Sequence, residues 1–197
     1  MINILILDTD GIVVYREKYF SERMSDEFGA SLEETTAFFK NEYKMCAIGQ
    51  ADLKQELAKD LGRWHWKQTV DDLIKFWFEH ENVIDFKILE YVGNLRNKGI
   101  KCYLDMDNEK YREQYLVENM GLGKHFDGVF SSASLGFLKS DLGFWAAVYE
   151  RLGRPVKTEA LVWDDDQKNV AVAKDFGFQA EHYKDFQTFK DYLESQL

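Results

Sequence analysis

The sequence predicts an α/β protein: a doubly wound parallel sheet of five strands, with a helical segment inserted directly after the first strand. Three observations lead there. Short apolar runs bounded by polar turns recur at Ile4 to Leu7, Ile100 to Leu104, Gly128 to Ser131, Glu159 to Trp163 and Gln179 to Tyr183. From residue 86 onward these runs alternate with helical patterns, which is the βα rhythm of a parallel sheet. Between about Tyr15 and Asp85 strand alternation is missing and helix signals replace it.

The first strand runs into Asp8-Thr9-Asp10-Gly11. Its two carboxylates, at i and i+2, point the same way out of the strand end. Such a pair repels by about 3 kcal/mol at an effective dielectric of 20, so it calls for a cation or a shared proton. Taken alone, Asp-x-Asp-Gly fits an acidic surface turn equally well.

The insertion reads as four helices, at about Glu17 to Phe28, Leu32 to Glu42, Ala51 to Leu61 and Val70 to Glu79. Ser31-Leu32-Glu33-Glu34 has the form of a capping box, and Thr69-Val70-Asp71-Asp72 is a looser signal of the same kind. The aromatics Trp64, Trp66, Phe76, Trp77 and Phe78 fall at helical spacing, which makes them core first and pocket walls second. His65 and His80 read as capping or satisfied side chains. Further helices are expected at about Phe86 to Lys98, Glu109 to Met120, Leu142 to Leu152, Lys168 to Phe176 and Phe186 to Leu193.

Chemistry collects at the strand ends. The run Ala160-Leu161-Val162-Trp163 ends in Asp164-Asp165-Asp166, with Asn169 opening the next helix. Lys139 precedes the helical run from Gly143 to Leu152, and Ser131-Ser132 closes the strand before it. Ligands of open parallel sheets bind at the carboxyl ends of the strands, so these residues converge without being neighbours in sequence. A lone lysine is usually a solvated one; two acidic strand ends and a lysine form a constellation.

In this ordered set the chain resembles the haloacid dehalogenase-like (HAD) hydrolase superfamily over nearly its whole length. Asp8-Thr9-Asp10-Gly11 is similar to motif I, Lys139 to motif III, and Asp164-Asp165 with Asn169 to motif IV. The segment Ser134-Leu135-Gly136-Phe137-Leu138-Lys139, leading into an aromatic-rich helix, resembles the phosphatase branch with a small helical (C1) cap. The resemblance implies a Rossmann-like core over residues 1–14 and 86–197, with residues 15–85 as the cap.

It also implies a mechanism. Asp8 would attack phosphorus as a covalent nucleophile, and Asp10 would protonate the leaving oxygen and then activate water. To hold a proton at neutral pH, Asp10 would need neighbouring carboxylates to raise its pKa by about three units. Mg²⁺ would be held by Asp8, the backbone carbonyl of Asp10 and Asp165, with Asp164 in support. Lys139 would neutralise charge on Asp8 and the phosphoryl oxygens. Dehalogenase branches lack the metal and its acidic pair. A receiver domain would put its acidic pair on the first strand and its phosphoacceptor on a later one, and it has no cap.

Motif II is where the chain departs from the family, which places Ser or Thr, commonly followed by Asn, at the end of the second core strand. Here the strand continues into Asp105-Met106-Asp107-Asn108, and the expected assignment puts Met106 at the hydroxyl position and Asp107 at the asparagine, with Asn108 beside them at the phosphate. A lost hydrogen bond to a charged oxygen costs about 1.5–3 kcal/mol. Ser140 stands where the family usually has proline, which affects loop rigidity more than chemistry.

Composition limits the partners. The chain has 197 residues, 45% hydrophobic and 15% aromatic, with one proline, as expected of one compact unit with a sizeable core. No apolar run approaches about 18 residues and no signal-peptide pattern opens the chain, so a cytoplasmic setting without a membrane partner is expected. A net charge of −10 disfavours nucleic acid and anionic membranes but not a small anion that meets a metal ion and a lysine. Cys46 and Cys102 read as buried thiols. Two readings follow: a Mg²⁺-dependent phosphatase of a small phosphorylated metabolite, such as a sugar phosphate, or a catalytically impaired or engineered protein of the same fold serving as a binding or scaffold domain. The intact nucleophile, acid, metal pair and lysine favour the first, and motif II favours the second.

Overall fold

The computed structural model describes residues 2–196. The chain opens with β1 (Ile4–Asp8) and the short β2 (Val14–Tyr15), then runs through α1 (Phe20–Phe28), α2 (Leu32–Lys40), α3 (Glu42–Ala47), α4 (Leu53–Ala58) and α5 (Val70–His80). It continues with β3 (Val83–Ile84), α6 (Phe86–Asn97), β4 (Lys101–Met106) and α7 (Lys110–Gln114), which passes into a π-helical turn, Tyr115–Asn119. The remainder comprises β5 (Gly128–Ser131), α8 (Ser132–Leu135), α9 (Leu142–Arg151), β6 (Ala160–Asp164), α10 (Gln167–Phe176), β7 (Gln179–His182) and α11 (Phe186–Gln196).

The main sheet has five parallel strands in the order β5-β4-β1-β6-β7. Side chains alternate between its faces, and each face buries a separate apolar layer. Leu5 and Leu7 of β1, with Cys102, Leu104 and Met106 of β4 and Leu161 and Trp163 of β6, pack against α6 and α11. Ile6 of β1, Phe130 of β5 and Ala160 and Val162 of β6 pack against α9 and α10. Helices on both faces make the sheet doubly wound and leave the carboxyl ends of the strands free for a site.

The helices between β2 and β3 bury a cluster of their own around Phe20, Met24, Phe38, Leu57, Trp64 and Trp77. Ser31 caps α2 by accepting from the Glu34 amide at 3.3 Å. Thr69 and Asp72 cap α5 reciprocally, each side chain accepting the other's amide at 3.1 Å. His65 lies 3.1 Å from the Phe28 carbonyl and His80 2.7 Å from that of Phe76, which satisfies one ring nitrogen of each. Cys46 and Cys102 are buried free thiols. Among the described residues no helix is long and apolar enough to cross a membrane.

The structure differs from the sequence reading in four places. The insertion enters and leaves through β2 and β3, which pair antiparallel over two residues each, too few to show an alternation. The helix expected over Leu32 to Glu42 breaks at Asn41, whose side-chain amide donates back to the Ala37 carbonyl at 2.9 Å, and α3 follows. The expected helix from Glu109 to Met120 changes to π-helix at Tyr115. Most important for the site, β4 runs on to Met106, whereas the apolar pattern ends at Leu104.

That extension corrects the motif II assignment. Met106 has the parity of Leu104, so its side chain enters the core, is fully buried, and does not reach the phosphate position expected of it. Met106→Thr is therefore expected to destabilise the protein by about 2–4 kcal/mol through a lost apolar contact and an unpartnered hydroxyl, without any gain in phosphatase activity. Urea denaturation, with midpoints compared at constant m, checks it.

Candidate active site

The same parity builds the site. Asp8, Asp105 and Asp164 are on the opposite face from Met106, at the ends of the adjacent strands β1, β4 and β6. Asp8 and Asp105 are register partners. Lys139 reaches them from the loop before α9, with Nζ 2.5 Å from Asp8 Oδ1, 2.8 Å from Asp164 Oδ2 and 3.2 Å from Asp105 Oδ1. All four residues are buried, and Asp105 and Asp164 are fully so. The Lys139 backbone is clamped as well: its amide donates to Asp107 Oδ1 at 2.9 Å, and its carbonyl accepts from Trp145 Nε1 at 2.9 Å.

One cation among three buried carboxylates leaves an excess of negative charge. Burial pushes Asp8 well above the ordinary carboxylate range, with Lys139 opposing the shift and Asp164 and Asp105 adding to it. Burial likewise pushes Asp105 up to about 7, against Lys139 and with Asp164. Burial opposes charge on Lys139, but Asp105, Asp8 and Asp164 outweigh it and hold the ammonium well above its usual range. Asp105 Oδ2 has no hydrogen-bond partner among the described residues.

Asp8, Asp164 and Asp165 each place a carboxylate oxygen within 4.8 Å of the other two. Asp164 is fixed by the Asp166 amide at 2.8 Å and by Asn169 Nδ2 at 3.2 Å. Asp165 packs against Gly11, whose φ of +98° favours glycine and where a Cβ would sit 2.0 Å from Asp165 Oδ2 and push that carboxylate away. This donor set of hard oxygens fits Mg²⁺.

The Asp10 carboxylate stands apart from that group. It accepts from Asn108 Nδ2 at 2.7 Å and lies 3.6 Å from the Arg112 guanidinium, so its nearest partners are donors rather than the carboxylates expected around it. Arg112 is buried and also donates to the carbonyls of Phe78 and Glu81 at the end of α5. The Asn108 carbonyl accepts from Ser131 Oγ at 3.3 Å.

A cavity of about 770 Å³ opens over these groups. Asp8, Asp10, Asp107, Asn108, Lys139 and Asp165 line one side, and Phe39, Tyr43, Trp77, Arg16, Lys40 and Lys44 line the other. Of the aromatics singled out in the sequence only Trp77 lines it; Trp64, Trp66, Phe76 and Phe78 pack in the cluster beneath. Sequence reasoning missed Asp105, Arg112, Phe39 and Tyr43. Alternation along Leu104-Asp105-Met106 carried the signal for Asp105, whereas nothing in the helical periodicity distinguishes Phe39 from its buried neighbour Phe38.

No protein-family model and no curated protein matches the sequence. Solved structures do match the fold. The HAD family enzyme BT-2542 from Bacteroides thetaiotaomicron aligns at a TM-score of 0.82 and 16% identity, over 96% of this chain and 98% of that one. A mutant of that enzyme, solved with magnesium and inorganic phosphate, aligns at 0.79 and 18%, over 96% of this chain and 99% of that one. A predicted HAD-like family hydrolase from Porphyromonas gingivalis gives 0.81 at 20% identity, over 100% and 98% of the two chains. L-2-haloacid dehalogenase from Xanthobacter autotrophicus gives 0.65 at 19%, over 100% of this chain and 84% of that one. With a five-stranded parallel sheet flanked by helices and these structural neighbours, the chain has the haloacid dehalogenase-like fold.

Proposed function

We propose that the protein is a Mg²⁺-dependent phosphomonoester hydrolase that works through an aspartyl-phosphate on Asp8, with residues 15–85 acting as a cap over a core of residues 1–14 and 86–197. The observation that carries this reading is the convergence of Asp8, Lys139 and Asp165 at a cavity beside the ends of β1 and β6, with Asp164 buried behind them. The magnesium and phosphate in the BT-2542 complex support it. The dehalogenase neighbour uses the same fold for another reaction, and the acidic pair Asp164-Asp165 favours the metal-dependent one.

In the first half of the reaction a carboxylate oxygen of Asp8 bonds to phosphorus, the bond from phosphorus to the ester oxygen breaks, and Asp10 gives that oxygen a proton. In the second half Asp10 takes a proton from water, whose oxygen bonds to phosphorus as the Asp8 acyl-phosphate bond breaks. Asn108 and Arg112 orient the Asp10 carboxyl between these steps. Lys139 offsets charge on Asp8 and the phosphoryl oxygens. Asp8, Asp165 and the Asp10 carbonyl, with Asp164 behind, would hold Mg²⁺, which supplies positive charge to the phosphoryl group when bound.

Asp105 favours the second reading, a weakened or inactive member of the fold. It lies opposite Asp8, one residue before the end of the second core strand, near where the family resemblance calls for a hydroxyl, and it competes for Lys139 at 3.2 Å. Above its pKa of about 7 it opposes a phosphate dianion; below that pKa it can donate a hydrogen bond as a hydroxyl would.

Asp8→Asn is expected to abolish Mg²⁺-dependent hydrolysis of p-nitrophenyl phosphate without loss of fold by circular dichroism; more than trace turnover in that variant removes Asp8 as nucleophile. Millimolar Mg²⁺ is expected to raise the Tm of the wild type and to leave that of Asp165→Ala unchanged, because a cation bound only to the folded state stabilises it. A calorimetric scan of both proteins with and without the ion decides this. Asp105 gives a third expectation. The kcat/KM of the wild type should fall as pH rises through about 7, where the carboxylate forms. Asp105→Ser should lack that fall and gain about tenfold at pH 8, the worth of one charge-assisted hydrogen bond. A pH–rate profile of both proteins on one ester tests it, and parallel profiles would show that Asp105 does not face the phosphate.

A further inference from the structure

The half of the cavity walled by the helical segment has its own chemistry, aromatic and basic, with Glu22 and Glu81 at its side. Phe39, Tyr43 and Trp77 contact one another there, with ring centroids 5.1 Å apart for Phe39 and Trp77, 5.4 Å for Phe39 and Tyr43 and 5.7 Å for Tyr43 and Trp77. Mutual tilted and edge-on contacts fix their planes, so the wall is preformed. It is also tied to the reacting end: the Tyr43 hydroxyl donates to Asn108 Oδ1 at 3.2 Å, and Asn108 Nδ2 donates to Asp10 Oδ2. A leaving group whose oxygen meets Asp10 therefore starts beside the Tyr43 ring.

Beyond the rings, Lys40 and Lys44 line the cavity, and neither has an ion-pair partner among the described residues. They add two positive charges to the wall that faces Asp8, Asp10, Asp107 and Asp165. A volume near 770 Å³ exceeds what a phosphoryl group with a three-carbon alcohol fills, and it lies in the range of sites that enclose ligands of drug size.

We propose that this half of the cavity takes a flat aromatic ring system bearing a second anionic group, so that the substrate is a phosphomonoester of an acidic aromatic alcohol rather than of a small polyol. The substrate class rests on the phosphatase reading above, but the ring site itself does not. The rings of the wall offer stacking and edge contacts to a flat ligand, while of their polar atoms the Tyr43 hydroxyl already donates to Asn108 and Trp77 Nε1 is buried, so the wall presents little hydrogen bonding to a chain of hydroxyls. The lysines give the remote anion a screened attraction that sets orientation more than affinity.

The test separates binding from turnover. 6-Hydroxy-2-naphthoate and 2-naphthol, neither carrying phosphate, are titrated against intrinsic tryptophan fluorescence. The naphthoate is expected to bind saturably, and Phe39→Leu to weaken it by about threefold to tenfold. The double variant Lys40→Gln, Lys44→Gln alters only exposed side chains, so it keeps the test open if the Phe39 variant misfolds. It should weaken the naphthoate several-fold and leave 2-naphthol unchanged. In steady-state kinetics the phosphate ester of 6-hydroxy-2-naphthoate should exceed glycerol 3-phosphate and glucose 6-phosphate in kcat/KM by about tenfold or more. Hydrolysis of all three esters alike, with no naphthoate binding, overturns the proposal and leaves the phosphatase standing. Saturable naphthoate binding with no ester hydrolysed overturns the phosphatase and leaves the ring site. Naphthoate binding indifferent to both variants overturns the placement of the site on this wall.

Discussion

The Lys139 ammonium among the ends of three strands is the contact on which the rest of the site depends. Asp8, Asp105 and Asp164 are brought side by side by the strand order β4-β1-β6, and all three are buried. Two such charges 4 Å apart repel by about 4 kcal/mol at an effective dielectric of 20, so three cannot share a buried corner without a cation. Lys139 supplies one from the opposite side, and with it the loop before α9 is fixed to the sheet. Removing one partner of a buried pair typically costs 3–5 kcal/mol, which makes Lys139 a structural residue as well as a catalytic candidate. The charge it leaves unbalanced is what a divalent cation at Asp8 and Asp165 would complete.

Much of this was legible in the sequence because it follows from periods of two. The acidic ends of the first and fourth sheet strands in chain order, Asp8 and Asp164-Asp165, stand next to apolar runs whose alternation says which way they point. The same rule applied one residue further along Leu104-Asp105-Met106 places Asp105, not Met106, beside Asp8. Assigning Met106 to the hydroxyl position at the end of that strand hid this, because it matched the family's motif without following the alternation from Leu104. The helical segment was less legible. Periodicity identifies an amphipathic helix but not which neighbour its apolar face meets, so Phe38 and Phe39 look alike in sequence although one is core and the other cavity wall. Strands of two residues, β2 and β3, are beneath the resolution of any pattern.

The insertion and the core are joined at more than the β2–β3 pair. Arg112, from the helix after β4, reaches across to the carbonyls of Phe78 and Glu81 at the end of α5 while standing 3.6 Å from Asp10. Glu81 in turn accepts from the Phe20 amide at 2.7 Å and from Arg16 at 3.2 Å. Tyr43 reaches Asn108 from the other side. Asp10, the residue assigned to proton transfer, is thus held by two core groups that are themselves held by the helical segment. Its position depends on how the helices sit, so a change in their packing would reach Asp10 before Asp8.

Asp105 shows how far one strand-end residue can move the balance between binding a cation and binding an anion. A hydroxyl at this position is neutral, donates one hydrogen bond and leaves Lys139 to divide its charge between Asp8 and Asp164. A carboxyl does the same only while protonated. Once ionised it shares Lys139 with Asp8 and Asp164 and adds a third negative charge where a phosphate would bring two more, which would favour a metal and disfavour the phosphate. The metal and the phosphate would then bind cooperatively, since a cation at Asp8 and Asp165 offsets the charge that an approaching phosphate meets. On this account the acidic strand end makes each of the two ligands depend on the other, by the same factor in both directions.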